Sequence, residues 1–531
     1  MLDKIKSRFI MNEIFMNIKN RRKLKIIKHC KKITRRLNIT NEEFKAYENL
    51  KAFNKKFNNI IDDIDIEEIN LNEKGIENND LQLLCQIKFR SLKKLNLYDN
   101  SISDIKVLSK GNFLNLKVLD LSENQISDIN MLENVDIPDL EVLYLNDNKI
   151  SDIKILEKIN FKNLKELDLS HNNLSDINSL EKSNFKNLED LDLSDNHIKN
   201  INILEKVNFP LLNSLTLSGN GISDINILEK VNFPELMTLN LSRNCIKNIG
   251  ILEKVKFKAL KELYLSTNHL SDISALQYVD FKELTELYLG SDNINDINIL
   301  GKVNFPELEI LYLGNNEITD INIFEKVNFK ELKELDLNHN KIEDINILEK
   351  VNFNELNKLN LEENEISNIN VLNNVKFPKL KELNLSLNFI ADIKLLENVD
   401  FKELNNLSLS GNGISNINIL EKLKFNELKK IDLSHNKIKN INVLKKVNFK
   451  NLETLDLEGN KIADIKVFNN VNFNNLITLN LNRNEISDID VFKNIKFSEL
   501  NKLDLSNNKI DRSKNSTILE NLKTKINEFI I

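Results

Sequence analysis

The chain has 531 residues, and its 74 Lys+Arg against 80 Asp+Glu leave a formal charge of −6, which excludes nucleic-acid binding by bulk charge. With 11 Gly, 5 Pro and no Trp it is not collagen-like, linker-rich or a many-hairpin β architecture, and 41% hydrophobic content excludes wholesale disorder. No apolar run approaches the roughly 20 residues of a membrane helix, the start MLDKIKSRFIMNEIF is no secretory signal, and Cys30, Cys85 and Cys245 are too few and too scattered for a disulfide framework or zinc site. An intracellular, cytoplasmic location is expected.

Residues 1–58 read as a basic helical head. The first 50 residues hold 14 Lys/Arg against five Asp/Glu, a net +9 that leaves −15 for the remainder. Phe9, Ile14, Ile18, Leu24, Ile27, Ile33 and Leu37 are spaced for two or three short amphipathic helices. The run Ile10-Met11-Asn12-Glu13-Ile14-Phe15, continued by Ile18, Leu24, Ile27 and Cys30-Lys31, resembles an F-box without that family's leading Leu-Pro or later Trp. The resemblance implies a ubiquitin-ligase adaptor. The alternative is a helical cap with basic solvent faces; no aromatic interleaving supports RNA or an anionic membrane as its target.

Residues 59–88 read as a degenerate first repeat, with Ile66, Ile69, Leu71 and Ile76 in place and Lys74 where an Asn is expected. From there a 24-residue period takes over. Asn100, Asn124, Asn148, Asn172, Asn196, Asn220, Asn244 and Asn268 are followed by Asn316, Asn340, Asn364, Asn388, Asn412, Asn436, Asn460, Asn484 and Asn508, and Asp292 fills the one gap. That is 18 copies across residues 89–512, with no insertion. A second column, from Phe89 to Phe497, departs from Phe only at Ile137, and Pro138, Pro210, Pro234, Pro306 and Pro378 all come directly after it.

Each unit reads LxxLxLxxNx(I/L)xxI. The LxL core alternates in and out as a short strand, so stacked copies build a parallel sheet. A buried Asn satisfies its amide by bonding backbone of its own and adjacent coils, which makes a ladder. The following segment, such as Ser223 to Val231, reads as a short helical turn or two on the opposite side, and Phe plugs the gap between turn and sheet. Residues 513–531 read as a C-terminal capping helix, with a capping box at Thr517-Ile518-Leu519-Glu520 and one apolar face of Ile518, Leu522, Ile526 and Phe529.

This pattern resembles the leucine-rich repeat family over roughly residues 66 to 512, and among its subclasses the short repeats of phosphatase-regulator and internalin-like proteins, with two extra residues per copy. The resemblance implies an α/β solenoid: a superhelix with one long parallel concave sheet and helical caps. It also implies binding rather than catalysis. No HExxH, Gly-rich phosphate loop or GxSxG is present. The six histidines form no constellation: His171, His339 and His435 share one repeat position several copies apart. Recurrent Ser-Asp pairs such as Ser127-Asp128 read as turn caps. No cofactor, metal, catalytic residue or small-molecule substrate is expected.

Recognition is therefore expected on the outward columns of the sheet. Tyr264, Tyr288 and Tyr312 occupy one such column in three consecutive copies, with Ile310 beside them and Asp292 in the middle copy. Exposed tyrosines have hot-spot composition, although an exposed strand also simply tolerates Tyr. A second patch is acidic: Glu166, Asp168, Asp190, Asp192 and Asp195, suited to a basic partner segment or to keeping the sheet solvated. The expected function is a non-catalytic protein-binding scaffold, with a ubiquitin-ligase substrate-recognition subunit or a phosphatase regulatory subunit as alternatives.

Overall fold

The computed structural model describes residues 40–531 apart from 59, 495 and 496, and of the first 39 residues only 18, 23, 26, 32, 35 and 37. The F-box-like run and the apolar pattern of the head lie largely outside the described residues. Two compact units are resolved: residues 1–246 with 254–260, and residues 247–253 with 261–531.

In the first unit, helix α1 (Asn41–Lys56) starts at Thr40, whose side chain accepts from the Glu43 N–H while Glu43 reaches back to the Thr40 N–H. It buries Ala46, Tyr47, Leu50 and Phe53, and Arg90 ties it to the first coil through Glu43 (2.9 Å) and Asp65 (2.6 Å). The degenerate first repeat forms the strand Glu68–Asn70, which pairs with Lys94–Asn96, and helix α2 (Asn78–Cys85) behind it. Parallel three-residue strands then follow one per coil to Thr238–Asn240, with Leu95, Leu119, Leu143, Leu167, Leu191, Leu215 and Leu239 in register. The second unit repeats the arrangement from Glu262–Tyr264 to Lys502–Asp504. Every central strand residue points inward and is buried, so neighbouring coils share one hydrophobic core that no coil could build alone.

The segments opposite the strands are 3-10 turns of four or five residues rather than α-helix. Each is opened by an Asp or Asn whose side chain accepts the N–H two residues on, as Asp224 does from Asn226 (2.9 Å). The second residue of the Ser-Asp pairs therefore acts as the turn cap. Apolar side chains of each turn, such as Ile227 and Leu228, are buried against the Phe column. That column is followed by a β-turn: the Leu212 N–H donates to the Phe209 carbonyl, with Pro210 at the second position. Its fixed φ suits that place and its missing N–H is not needed there.

At the C-terminal end, helix α3 (Ser516–Lys525) buries Ile518, Leu519 and Leu522. The expected capping box does not form, since Asn515 is the N-cap and makes no side-chain cap bond. The helix also stops short of the last residues. Glu528–Ile530 instead form a strand parallel to Lys502–Asp504, with Phe529 opposite Leu503. The last coil would otherwise present a row of unpaired backbone groups, and pairing them outweighs two further helical turns.

Candidate functional site

The buried Asn column sets the frame on which the site is built. Asn340 donates through Nδ2 to the carbonyls of Leu313 (3.0 Å), Leu337 (3.1 Å) and Asn338 (3.1 Å), and its Oδ1 accepts the Ile318 N–H (3.0 Å). The same set recurs at other ladder asparagines within each unit, as at Asn100 in the first and Asn508 in the second. One amide thus stitches two coils. The residue before each ladder position adopts a left-handed backbone, at φ between 47° and 66°, and is Gly only at 219, 411 and 459. His171, His339 and His435 stand at this turn, a conformation for which His, Asn and Asp are enriched.

Asp292 keeps only the accepting bond of the four-bond Asn set and adds one from the Asn268 N–H. Its Oδ1 accepts from the N–H groups of Asn268 (2.9 Å) and Leu270 (3.0 Å), while Oδ2 is buried without a partner where other copies place a donor facing carbonyls. Burial, outweighing the two N–H bonds, pushes this carboxyl up to about 6.

Position four before the ladder residue usually folds back on its own coil. Asp168 Oδ1 accepts from the Ser170 N–H (2.9 Å) and hydroxyl (2.6 Å), Asp192 from the Ser194 N–H (2.8 Å), and Asp336 from the Asn338 N–H (2.9 Å). Two members of the acidic patch are therefore turn residues. Its four strand carboxylates are cross-strand neighbours, Glu166 beside Asp190 and Asp168 beside Asp192. Burial first, then like charges, pushes Asp190 up to about 6. Asp195 sits apart at the left-handed turn, already compensated by Arg243 (3.1 Å) and His171 (3.4 Å).

Tyr264, Tyr288 and Tyr312 take that same fold-back position and give up its bond. They are direct cross-strand neighbours, and their rings stack at 4.6 and 5.8 Å between centroids, tilted by 20° and 28°. The rings are half-buried, since each stacks on its neighbour. Beneath them the column two before the ladder turns to glycine. A Cβ on Gly290 would overlap the Tyr312 ring, and one on Gly314 would crowd the Tyr312 hydroxyl and the Asn338 side chain. The Gly290 N–H, deprived of a fold-back acceptor, donates to Ser266 Oγ (3.0 Å). The Tyr264 phenol donates to Glu262 (3.2 Å) and Glu286 (3.1 Å). Burial, then the neighbouring carboxylates, raises the Tyr264 phenol and pushes that of Tyr288 up to about 12, so both stay neutral. Ile310 lies between Glu286 and Glu334 across the strands.

The glycine floor is a signal that sequence reading missed, although Gly290 and Gly314 are two of only 11 glycines in the chain. Among the described residues no group of three His, Cys, Asp or Glu is arranged to hold a metal ion, and no helix is long and apolar enough to cross a membrane.

Sequence models of this architecture match the chain: "Leucine Rich repeats (2 copies)" at residues 138–182, 234–278 and 426–470, with related leucine-rich repeat models at 90–150 and 331–345. The chain is a leucine-rich repeat protein. An internalin (inlF) from Listeria monocytogenes is 28% identical over 67% of this chain and 88% of its own, with a TM-score of 0.48. A Leptospira interrogans LRR protein, LIC12759, is 21% identical over 78% of this chain and 93% of its own, at 0.46. The TLR13–ssRNA13 complex is 24% identical over 81% of this leucine-rich repeat chain and 64% of that chain, at 0.57, a likeness of fold. Comparison with curated protein sequences yields no match.

Proposed function

We propose that this leucine-rich repeat protein is a non-catalytic scaffold that holds a protein partner on the outward face of its sheet, centred on Tyr264, Tyr288 and Tyr312. The observation that carries the reading is the stack itself. Three successive coils give up a local turn bond and two adopt glycine, so that three tyrosine rings stack on one another along the sheet face. A surface of rigid rings with polar tips loses little side-chain entropy on binding. The acidic face at Glu166, Asp168, Asp190, Asp192 and Asp195 is a secondary contact region in this reading. A free, exposed Cys245 suits a reducing, intracellular compartment.

The test is affinity purification of the tagged full chain from native lysate, followed by measurement of the recovered partner's affinity. Tyr264→Ser, Tyr288→Ser and Tyr312→Ser together should weaken binding by at least about 2 kcal/mol. A partner held at full affinity by this variant would remove the stack as the binding centre. Recovery of ligase subunits or of a phosphatase would assign the narrower role of substrate-recognition or phosphatase regulatory subunit.

A further inference from the structure

We infer that the tyrosine stack seats the guanidinium groups of an extended, arginine-bearing segment of the protein partner. The inference rests on the proposed binding face and names the chemistry that face selects. On the four neighbouring strands Glu262–Tyr264, Glu286–Tyr288, Ile310–Tyr312 and Glu334–Asp336, the outward side chains are three tyrosines, one isoleucine and four carboxylates, with no Lys or Arg among them. Lys358 on the next strand pairs with Glu334, at 3.3 Å, and also attracts the Asp336 carboxylate. The carboxylates border the rings closely enough for the Tyr264 phenol to bond both Glu262 and Glu286.

Aromatic faces rimmed by carboxylates favour a planar cation over an apolar or anionic group. The faces inside the stack are turned toward one another, so a guanidinium packs on an outer ring of the stack while its edge N–H groups donate to carboxylate oxygens. Glu286 keeps spare lone pairs even after interacting with the Tyr264 and Tyr288 phenols. The rings are also set in advance, stacked on each other with Tyr312 held against Gly290 and Gly314, so binding does not have to order them. From Tyr264 to Tyr312 the stack spans about 10 Å by its two centroid steps. An extended segment crossing the strands presents side chains on one face roughly every 7 Å. Two arginines separated by one residue therefore cover the stack.

The test uses the full chain and a fluorescent twelve-residue Gly/Ser peptide carrying one Arg-Gly-Arg, read by anisotropy, beside a twin with citrulline for arginine. Citrulline keeps the planar shape and loses the charge. The arginine peptide should bind saturably, and the citrulline twin at least tenfold more weakly. Tyr264→Leu with Tyr288→Leu and Tyr312→Leu should lose at least tenfold. Glu262→Gln with Glu286→Gln should lose several-fold and flatten the salt dependence. Because the rings are half-buried, Gly290→Ala serves as a second handle: it lifts Tyr312 off its floor, keeps every charge and phenol, and should weaken binding at least threefold. Asp190→Asn with Asp192→Asn, in the secondary contact region, should weaken the arginine peptide no more than twofold, far less than the changes at the stack. Equal binding of the two peptides, no binding of the arginine peptide, wild-type affinity in the tyrosine and Gly290 variants, or loss only in the Asp190/Asp192 variant would each overturn the inference. In the last case the recovered partner should lose affinity on the acidic face alone, and the sheet-face reading survives. A partner unaffected by changes at both faces overturns that reading as well.

Discussion

At the scale of single residues, the stability of each turn rests on an amide that bonds two coils at once. Asn340→Ala leaves the buried Ile318 N–H without its acceptor and takes one donor from each of three carbonyls, which keep Asn316, Asn364 and the Asn315 N–H; it should cost about 1–3 kcal/mol in urea melts. Asp292 shows the converse. Its folded carboxyl titrates at about 6, above the ordinary carboxylate value, so its contribution is fully present below about pH 4 and is lost as pH rises through 6. Asp292→Asn should thus raise stability by about 1–3 kcal/mol at pH 7.5 and little at pH 4. A difference between the two proteins that does not change with pH would show that the Asp292 carboxyl is not shifted. Leu387 stands at the left-handed turn with φ of 53° and an exposed side chain. Leu387→Asn should stabilise by about 1 kcal/mol, since Asn tolerates that backbone and Leu does not.

At the scale of the element, one coil is interchangeable with the next because each pairs only with its neighbours. Removing residues 317–340, one whole period, should leave a folded protein by circular dichroism, whereas removing 12 residues there should not. Outward columns are less independent than alternation suggests. Ser434 is buried and bonds both Asp432 and Ser410, and Ser506 bonds Asp504, so serine positions that look solvent-facing in the sequence carry turn structure. Strand alternation tells which way a side chain leaves the backbone. It does not tell that a carboxylate such as Asp168 then turns back onto the N–H two residues later.

At the scale of the whole molecule, an open sheet edge is the liability, and the last residues answer it with a helix and a strand. Deleting residues 513–531 exposes Leu503 and the unpaired backbone of Lys502–Asp504, and uncovers the core beneath Ile518, Leu519 and Leu522. The truncated chain should elute as oligomers on size exclusion and unfold at lower urea, while the full chain does neither. A truncated chain as stable and as well behaved as the full one would show that the cap is dispensable.

Periodicity by itself determined the parallel strands, the Asn ladder, the Phe plug and the 18 copies, because a residue repeated every 24 positions meets the same surroundings each time. The left-handed turn was only faintly legible: Asp, Asn, His or Gly, which tolerate that backbone, hold 11 of its 18 positions, while Glu, Arg, Thr, Ser and Leu hold the rest. The candidate site was legible as a column of three tyrosines and no further. That the rings stack, that Tyr312 lies against Gly290 and Gly314, and that Glu262 and Glu286 meet the Tyr264 phenol was decided only by tertiary structure. The ring-to-ring, Tyr312–Gly290 and Tyr264–Glu286 contacts join residues 22 or 24 positions apart that meet only across the narrow strand spacing, where a side chain's orientation depends on what the adjacent coil leaves empty.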